Sequence, residues 1–341
     1  MQRTIQIGDL ELRASDSPEG VVLHSQDSIS LVGIDAFPMT VRRIEASLHL
    51  HSSTLRELPS PLMVMGDLLV ESCPDLVLPD HLEVSGDLIL TNSGMTSAEL
   101  PRGLVVGGAL SIGDCAFREL PADLRVARSI VAGGSKLERL PAALSLSGSL
   151  DIRDTAVTRL PDPLSVGSAL VIRNCAIDEL PRTLSVGESL DVGGTPIRHL
   201  PKSLPMFGDL YVDGSKVETL PDNLRLGSLN ISDTAIREIP PGTTLSGSLF
   251  ALNAPVRELP ASMTELQDLV LTGSAMARLP EGLAVNGSLV LADTPIQSLP
   301  RKMSVGGTLF LGGTRLQPKD VPRHQKTKAV LDVNWEWRPG A

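Results

Sequence analysis

The chain has 341 residues, 42% of them hydrophobic but only 2% aromatic, and a formal net charge of -10. So few rings exclude an ordinary aromatic-centred core, so the interior has to be aliphatic. The acidic excess is mild and the signs alternate locally, as in Arg118-Glu119, Glu138-Arg139 and Arg257-Glu258. That reads as a solvated surface, and it excludes the basic face of a nucleic-acid binder and the long acidic runs of a nucleic-acid mimic.

The first residues, MQRTIQIGDLEL, lack the apolar centre of a signal peptide. No run approaches the ~18 apolar residues of a membrane-spanning helix. Gly8, Leu10, Leu12 and Ser15 echo the phase of a repeat that follows, and residues 16–37 read as an irregular coil, so 1–37 is expected to be an N-terminal cap. From Phe37-Pro38 onward the repeat is explicit. Leu-Pro recurs with its proline at 59, 79, 101, 121, 141, 161, 181, 201, 221, 260, 280 and 300, and Ile239-Pro240 fills the one gap. The period is 20 residues, apart from one spacing of 22 (Pro79 to Pro101) and one of 19 (Pro221 to Pro240). Length alone would suggest two or three globular domains. A period of this size predicts a solenoid instead, a single elongated domain over residues 38–317.

With proline as position 1, the consensus is P-x-x-L-x-V-x-G-x-L-x-I-x-x-T-x-I-x-x-L, filled by Leu184, Val186, Leu190, Val192, Thr195, Ile197 and Leu200. Positions 4 to 12 alternate strictly, the β period, so the alternate positions share one buried face. Gly at position 8 (Gly86, Gly108, Gly148, Gly208, Gly287, Gly307) predicts a bend and therefore two short strands per coil. Position 14 is mostly Asp, Asn or Gly (Asp114, Asp154, Asn174, Gly194, Asp233, Asn253, Asp293), types that tolerate a left-handed backbone and mark a turn. One coil cannot close a core alone, so each must be completed by its neighbours. Stacking about fifteen coils at ~4.8 Å each would extend for about 70 Å.

The phrase L-x-I-x-x-T-x-I-x-x-L-P-x-x-L resembles the leucine-rich-repeat core. Its phase is similar to the twenty-residue LPX-type repeats of bacterial type III effectors, the Yersinia outer protein M and IpaH-type group. It is also similar to the Thr-rich L-P-x-x-L-x-V-x-G-x-L-x-L repeats of uncharacterised bacterial and phage proteins. The resemblance covers about residues 38–317 and implies a mainly β, leucine-rich-repeat-like solenoid of about 14–15 coils that serves as an interaction scaffold. Two features depart from it. The usual Asn column holds Thr, Ser, Cys or Ala, and L-x-V-x-G replaces the effectors' L-P-P-x-L and reads as a second sheet. A parallel β-helix of twenty-residue coils fits the same spacing.

The three cysteines, Cys73, Cys115 and Cys175, fall in the position 15 column with Ser93, Ser135, Thr155, Thr195 and Ser215. A column confined to small residues is a packing constraint. The cysteines are two and three coils apart, roughly 10 and 14 Å by strand spacing, beyond the about 7 Å that a disulfide spans between Cα atoms. Free thiols suit a reducing compartment, so a cytoplasmic location is expected, with secretion lacking a cleavable signal left open. Cys73-Pro74-Asp75 spells the Cys-x-Asp that IpaH-type ubiquitin ligases carry in a separate helical domain. Here it lies inside the repeats, and Cys73 is assigned to packing.

His49 and His51 are adjacent on one strand face, with no Cys or acidic residue at useful spacing, so no metal is expected. Pairs such as Gly133-Gly134 and Gly312-Gly313 are turns, because no Lys-Ser/Thr and helix follow. G-x-S-x-G is absent and the serines show no nearby histidine, so no enzyme activity and no cofactor are expected.

Position 11 lies between two inward positions and must point outward. It reads Leu69, Ile89, Ser111, Val131, Asp151, Val171, Asp191, Tyr211, Asn230, Phe250, Val270, Val290, Phe310. The last four are consecutive apolar residues, and Leu252 and Ala292 at position 13 extend them. Tyr211, Phe250, Leu252, Val270, Val290 and Phe310 are the candidate partner-binding residues, expected to expose a contiguous apolar stripe to a protein. Sheet propensity, or cover by the C-terminal tail, would explain the same column without a partner. Residues 318–341 break the repeat and hold five basic residues and both tryptophans, Trp335 and Trp337. Their alternation from Val330 reads as a closing strand, a cap or else a docking tail. The sequence therefore predicts a non-catalytic protein-binding scaffold, monomeric or weakly oligomeric. A laterally assembling structural solenoid and a secreted effector that acts by binding are the competing readings.

Overall fold

A computed structural model of the chain describes residues 2–97, 99–204, 208–317, 319–325 and 329–330. A single coil shows the construction. Leu164–Val166 and Leu170–Val171 are its two strands. Leu164, Val166, Leu170 and Ile172 are buried, whereas Ser165 and Val171 between them are half-exposed. The alternation that predicted one buried face is thus realised in both strands. Each strand pairs in parallel with its equivalent twenty residues away, as in Leu150↔Leu170 and Asp151↔Val171. The result is a parallel β-solenoid with an aliphatic interior. Among the described residues no helix is long and apolar enough to cross a membrane.

The chain divides into two compact units. The first holds residues 1–177 with 181–185, and the second holds 178–180 with the residues from Val186 onward.

The first unit opens with an antiparallel meander of β1 (Gln2–Ile7), β2 (Leu10–Ser17) and β3 (Gly20–His24). Parallel stacking then begins. β3 pairs with β5 (Val41–Glu45), and β4 (Ile29–Val32) pairs with β6 (Leu48–His51). Two sequence expectations are corrected here. Gly8, Leu10, Leu12 and Ser15 belong to a hairpin, not to an early coil, because alternation looks the same in either pairing. Residues 16–37 are not irregular: they hold the whole of β3 and β4, on which the stack is built.

In the second unit one sheet runs Leu190–Asp191, Leu210–Tyr211, Leu229–Asn230, Leu249–Phe250, Leu269–Val270, Leu289–Val290, Leu309–Phe310, Ala329–Val330. The last pairing, Leu309↔Ala329 and Phe310↔Val330, puts a strand where the closing strand is expected. The rest of that expectation, residues 331–341, lies outside the described residues.

Three columns fix the coil. At position 14, Asp114, Asp154, Asn174, Asp233, Asn253 and Asp293 all have φ between 53° and 59°, the left-handed turn predicted for them. At position 15 the small side chains from Cys73 to Thr294 are buried. Thr155, Thr195 and Thr294 each donate a hydroxyl hydrogen bond to the position 12 carbonyl of their own coil, at 2.7 Å. The third column, position 9, is a side-chain ladder that the sequence reading missed. Asp209 N–H donates to Ser189 Oγ (3.0 Å), Ser228 N–H to Asp209 Oδ1 (2.7 Å), Ser248 N–H to Ser228 Oγ (3.1 Å), Asp268 N–H to Ser248 Oγ (3.1 Å) and Ser288 N–H to Asp268 Oδ1 (2.8 Å). The neighbouring glycines follow from this ladder. A Cβ on Gly287 would lie 2.1 Å from Asp268 Oδ1, and one on Gly108 would lie 2.0 Å from Asp87 Oδ1 and 2.7 Å from the Gly86 carbonyl oxygen. On the surface, ion pairs join consecutive coils, such as Arg118–Glu138 and Arg198–Glu218. Exposed pairs of this kind are worth about 0–1 kcal/mol each.

Candidate functional site

Pairing in the second unit brings position 11 into one row, Tyr211↔Asn230↔Phe250↔Val270↔Val290↔Phe310. Leu269, Leu271, Leu289 and Leu291 are fully buried in the interior, so Val270 and Val290 project from the opposite face. Position 9 lies on that same outer face. The two rows together line a groove of about 300 Å³, formed by Phe250, Val270, Val290 and Phe310 with Asp268, Ser288 and Thr308 beside them. One wall is apolar and aromatic. The other carries a carboxylate and two hydroxyls from the position 9 row.

The exposure expected of this row is corrected. Phe250 and Phe310 are half-buried, but Val270 is 1% exposed and Val290 0%. The valines are short and sit one and two strand spacings inside the row, between the two rings. They form a floor, not a flat stripe. Leu252 is half-buried at the adjacent turn, where its N–H donates to Ser232 Oγ (3.1 Å), and it does not line the groove. Tyr211 is separated from Phe250 by Asn230, and its hydroxyl donates to Asp209 Oδ2 (3.0 Å). Of the six candidates the structure therefore brings four together. It adds Asp268, Ser288 and Thr308, whose signal in the sequence was their two-residue offset from the row.

Two further corrections concern histidines. His24 has a serine beside it after all. Ser15 Oγ lies 2.7 Å from His24 Nε2, and His24 Nδ1 lies 2.8 Å from Glu45 Oε2. The β2–β3 hairpin and the parallel β3–β5 pairing gather three residues that are distant in sequence. This is the connectivity of nucleophile, base and orienting acid. An oxyanion hole, however, needs N–H donors aimed beside the nucleophile, and β2 is laddered on both sides, to β1 and to β3. The trio is a cross-strand surface chain. His51 likewise has an acidic neighbour, with Nδ1 3.0 Å from Glu71 Oε2 on the next coil. Among the described residues no group of three or more His, Cys, Asp or Glu side chains could hold a metal ion.

All three thiols are free and buried. Burial pushes the Cys115 thiol up to about 11 and raises that of Cys73 as well. A nucleophilic cysteine needs the opposite shift.

No protein-family model matches the sequence, and no curated protein does. Solved structures do resemble it. YopM from Yersinia enterocolitica WA-314 is 21% identical, with 84% of this chain and 77% of that one covered and a TM-score of 0.44. YopM of Yersinia pestis, described as a leucine-rich effector protein, is 22% identical over 89% and 80%, at 0.46. An LRR protein of Leptospira interrogans is 15% identical over 88% and 93%, at 0.39. The coil architecture itself rests on the parallel register and burial described above.

Proposed function

We propose that this protein is a non-catalytic scaffold that docks an extended segment of a partner protein in the groove between Phe250 and Phe310. The supporting observation is the juxtaposition of an apolar floor and two phenyl rings with a row of hydrogen-bonding side chains, one coil apart. Such a surface takes an apolar or aromatic side chain while offering its polar edge a partner. Aromatic anchors dominate many interfaces, so Phe250 and Phe310 are the expected hot spots, and Tyr211 and Leu252 are peripheral. The free, buried thiols fit a reducing, cytoplasmic setting.

The test is a peptide-display selection on the full chain and on the Phe250→Asp, Phe310→Asp double variant. The expected result is enrichment of aromatic-bearing peptides on the full chain and its loss in the variant, with β-sheet circular dichroism and melting temperature retained. Equal enrichment on both would move the interface to another face. Loss of fold would make the rings structural.

A further inference from the structure

The floor of the groove is already closed: Val270 is 1% exposed and Val290 0%. A docked segment therefore gains little from the valines. Discrimination between segments falls to the half-buried rings and to the polar edge beside them. That edge carries one charge. Asp268 is half-exposed, its Oδ1 accepts Ser288 N–H (2.8 Å) and its Oδ2 accepts the Ser248 hydroxyl (3.3 Å). Both donors are neutral. Among the described residues no cation lines the groove, and none forms an ion pair with Asp268. A carboxylate offers about four acceptor positions, so about two stay open.

Geometry narrows the choice of cation. Phe250 pairs with Val270, and Asp268 lies two positions before Val270 on the same strand. Their spacing puts the Cα atoms of Phe250 and Asp268 about 8 Å apart. A group between them meets an aromatic ring on one side and a carboxylate on the other. A guanidinium suits both, since it is planar, stacks on a ring face and presents its N–H donors in a fixed fork. An ammonium is a compact, strongly hydrated point charge and uses the ring less well. The Ser288 and Thr308 hydroxyls beside Asp268 can accept further N–H groups. The chain's formal net charge of -10 also favours the approach of a cationic segment. From Phe250 to Phe310 is three strand spacings, about 14 Å. An extended segment laid along the row covers that in about four residues, so every second side chain faces the groove.

We propose that the segment docked here carries an arginine whose guanidinium pairs with Asp268 and stacks on Phe250. An aromatic or apolar residue two positions away lies against the rest of the row. This pairing rests on the groove being the partner site.

The test is a random-peptide display selection, read by composition, on the full chain and on Asp268→Asn. Asparagine keeps an oxygen for Ser288 N–H and a polar group beside Ser248, so circular dichroism and melting temperature should be retained. On the full chain arginine is expected to be enriched severalfold, two positions from an aromatic or apolar residue. On Asp268→Asn the arginine preference should vanish while aromatic enrichment stays. For one selected peptide, citrulline in place of its arginine is neutral and similar in shape. It should weaken binding about tenfold to the full chain and no more than about twofold to Asp268→Asn. Equal binding of the two peptides to the full chain would overturn the pairing without recourse to any variant. Aromatic enrichment without arginine, or an arginine preference that Asp268→Asn leaves intact, would overturn it too and leave the groove standing as a partner site. Lysine enriched as strongly as arginine would overturn the stacked guanidinium. No peptide enrichment on the full chain would sink the groove as a partner site and the arginine pairing with it.

Discussion

Position 11 of the coil behaves differently in the two units, although the backbone around it is the same. In the first unit the row runs Leu69, Ile89, Ser111, Val131, Asp151, Val171, and none of these is buried. In the second it runs Asp191, Tyr211, Asn230, Phe250, Val270, Val290, Phe310, and of these Val270 and Val290 alone are buried. The comparison separates two things that a repeat tends to merge. The coil dictates which way a side chain points, whereas its neighbours on adjacent coils decide whether it meets water. Position 9 differs in the same way. The ladder is continuous from Ser189 to Ser288 in the second unit. In the first it runs from Ser47 through Asp67 and Asp87 to Ala109, which has no side-chain oxygen to pass it on to Ser129, and it resumes from Ser129 through Ser149 to Ala169.

Features common to both units should break equally. Gly108→Ala and Gly287→Ala each force a Cβ against a carboxylate and, for Gly108, a carbonyl of the preceding coil. Each is expected to cost about 3 kcal/mol, the upper end for overpacking, measured by urea unfolding of full-length variants. A neutral result at one site alone would mean that the coils are not equivalent at that corner. Cys175→Leu, in the fully buried small-residue column, should cost about 2 kcal/mol, and Cys175→Ser much less.

The raised thiol of Cys115 adds a pH dependence. Its ordinary value of 9.0 rises to about 11 on folding, so the native state keeps a proton that the unfolded chain releases. Stability present below pH 9.0 is therefore lost as pH climbs towards about 11. Urea midpoints across that window should fall for the parent and fall less for Cys115→Ser.

Smaller changes sharpen the contrast at position 9. Asp268→Ala removes the acceptor for Ser288 N–H and Ser248 Oγ, at an expected cost of about 1.5 kcal/mol for bonds to a charged group. It should also weaken peptide capture in the groove. Ala109→Ser would supply the missing rung above Ser129 in the first unit. It is expected to raise stability by about 0.5 kcal/mol without creating a groove. Peptide enrichment on that variant at the first unit would show that the ladder alone makes a site.

The residues show which parts of this were legible. Alternation around Leu184, Val186, Leu190 and Val192 specified the buried face, and the Asp/Asn/Gly and Thr/Ser/Cys columns specified the turn and the tight interior, because each is a local steric demand repeated in every coil. Asp268 and Ser288 were not legible as a ladder. Their bonds run to the next coil, and Asp, Ser and Ala read along the chain as ordinary surface residues. Ser15, His24 and Glu45 were hidden because a hairpin and a parallel pairing unite them. The row of Phe250 to Phe310 was visible, but its exposure was misjudged. Direction follows from a period of two, whereas the depth of Val290 depends on the rings and chain around it.

Hydroxyl-radical footprinting of the full chain tests the difference between the two rows most directly. Val131 should be oxidised readily, Val270 and Val290 should be protected severalfold, and Phe250→Ser with Phe310→Ser should bring Val290 towards the Val131 rate. Equal oxidation of Val131 and Val290 in the unaltered protein would contradict the groove.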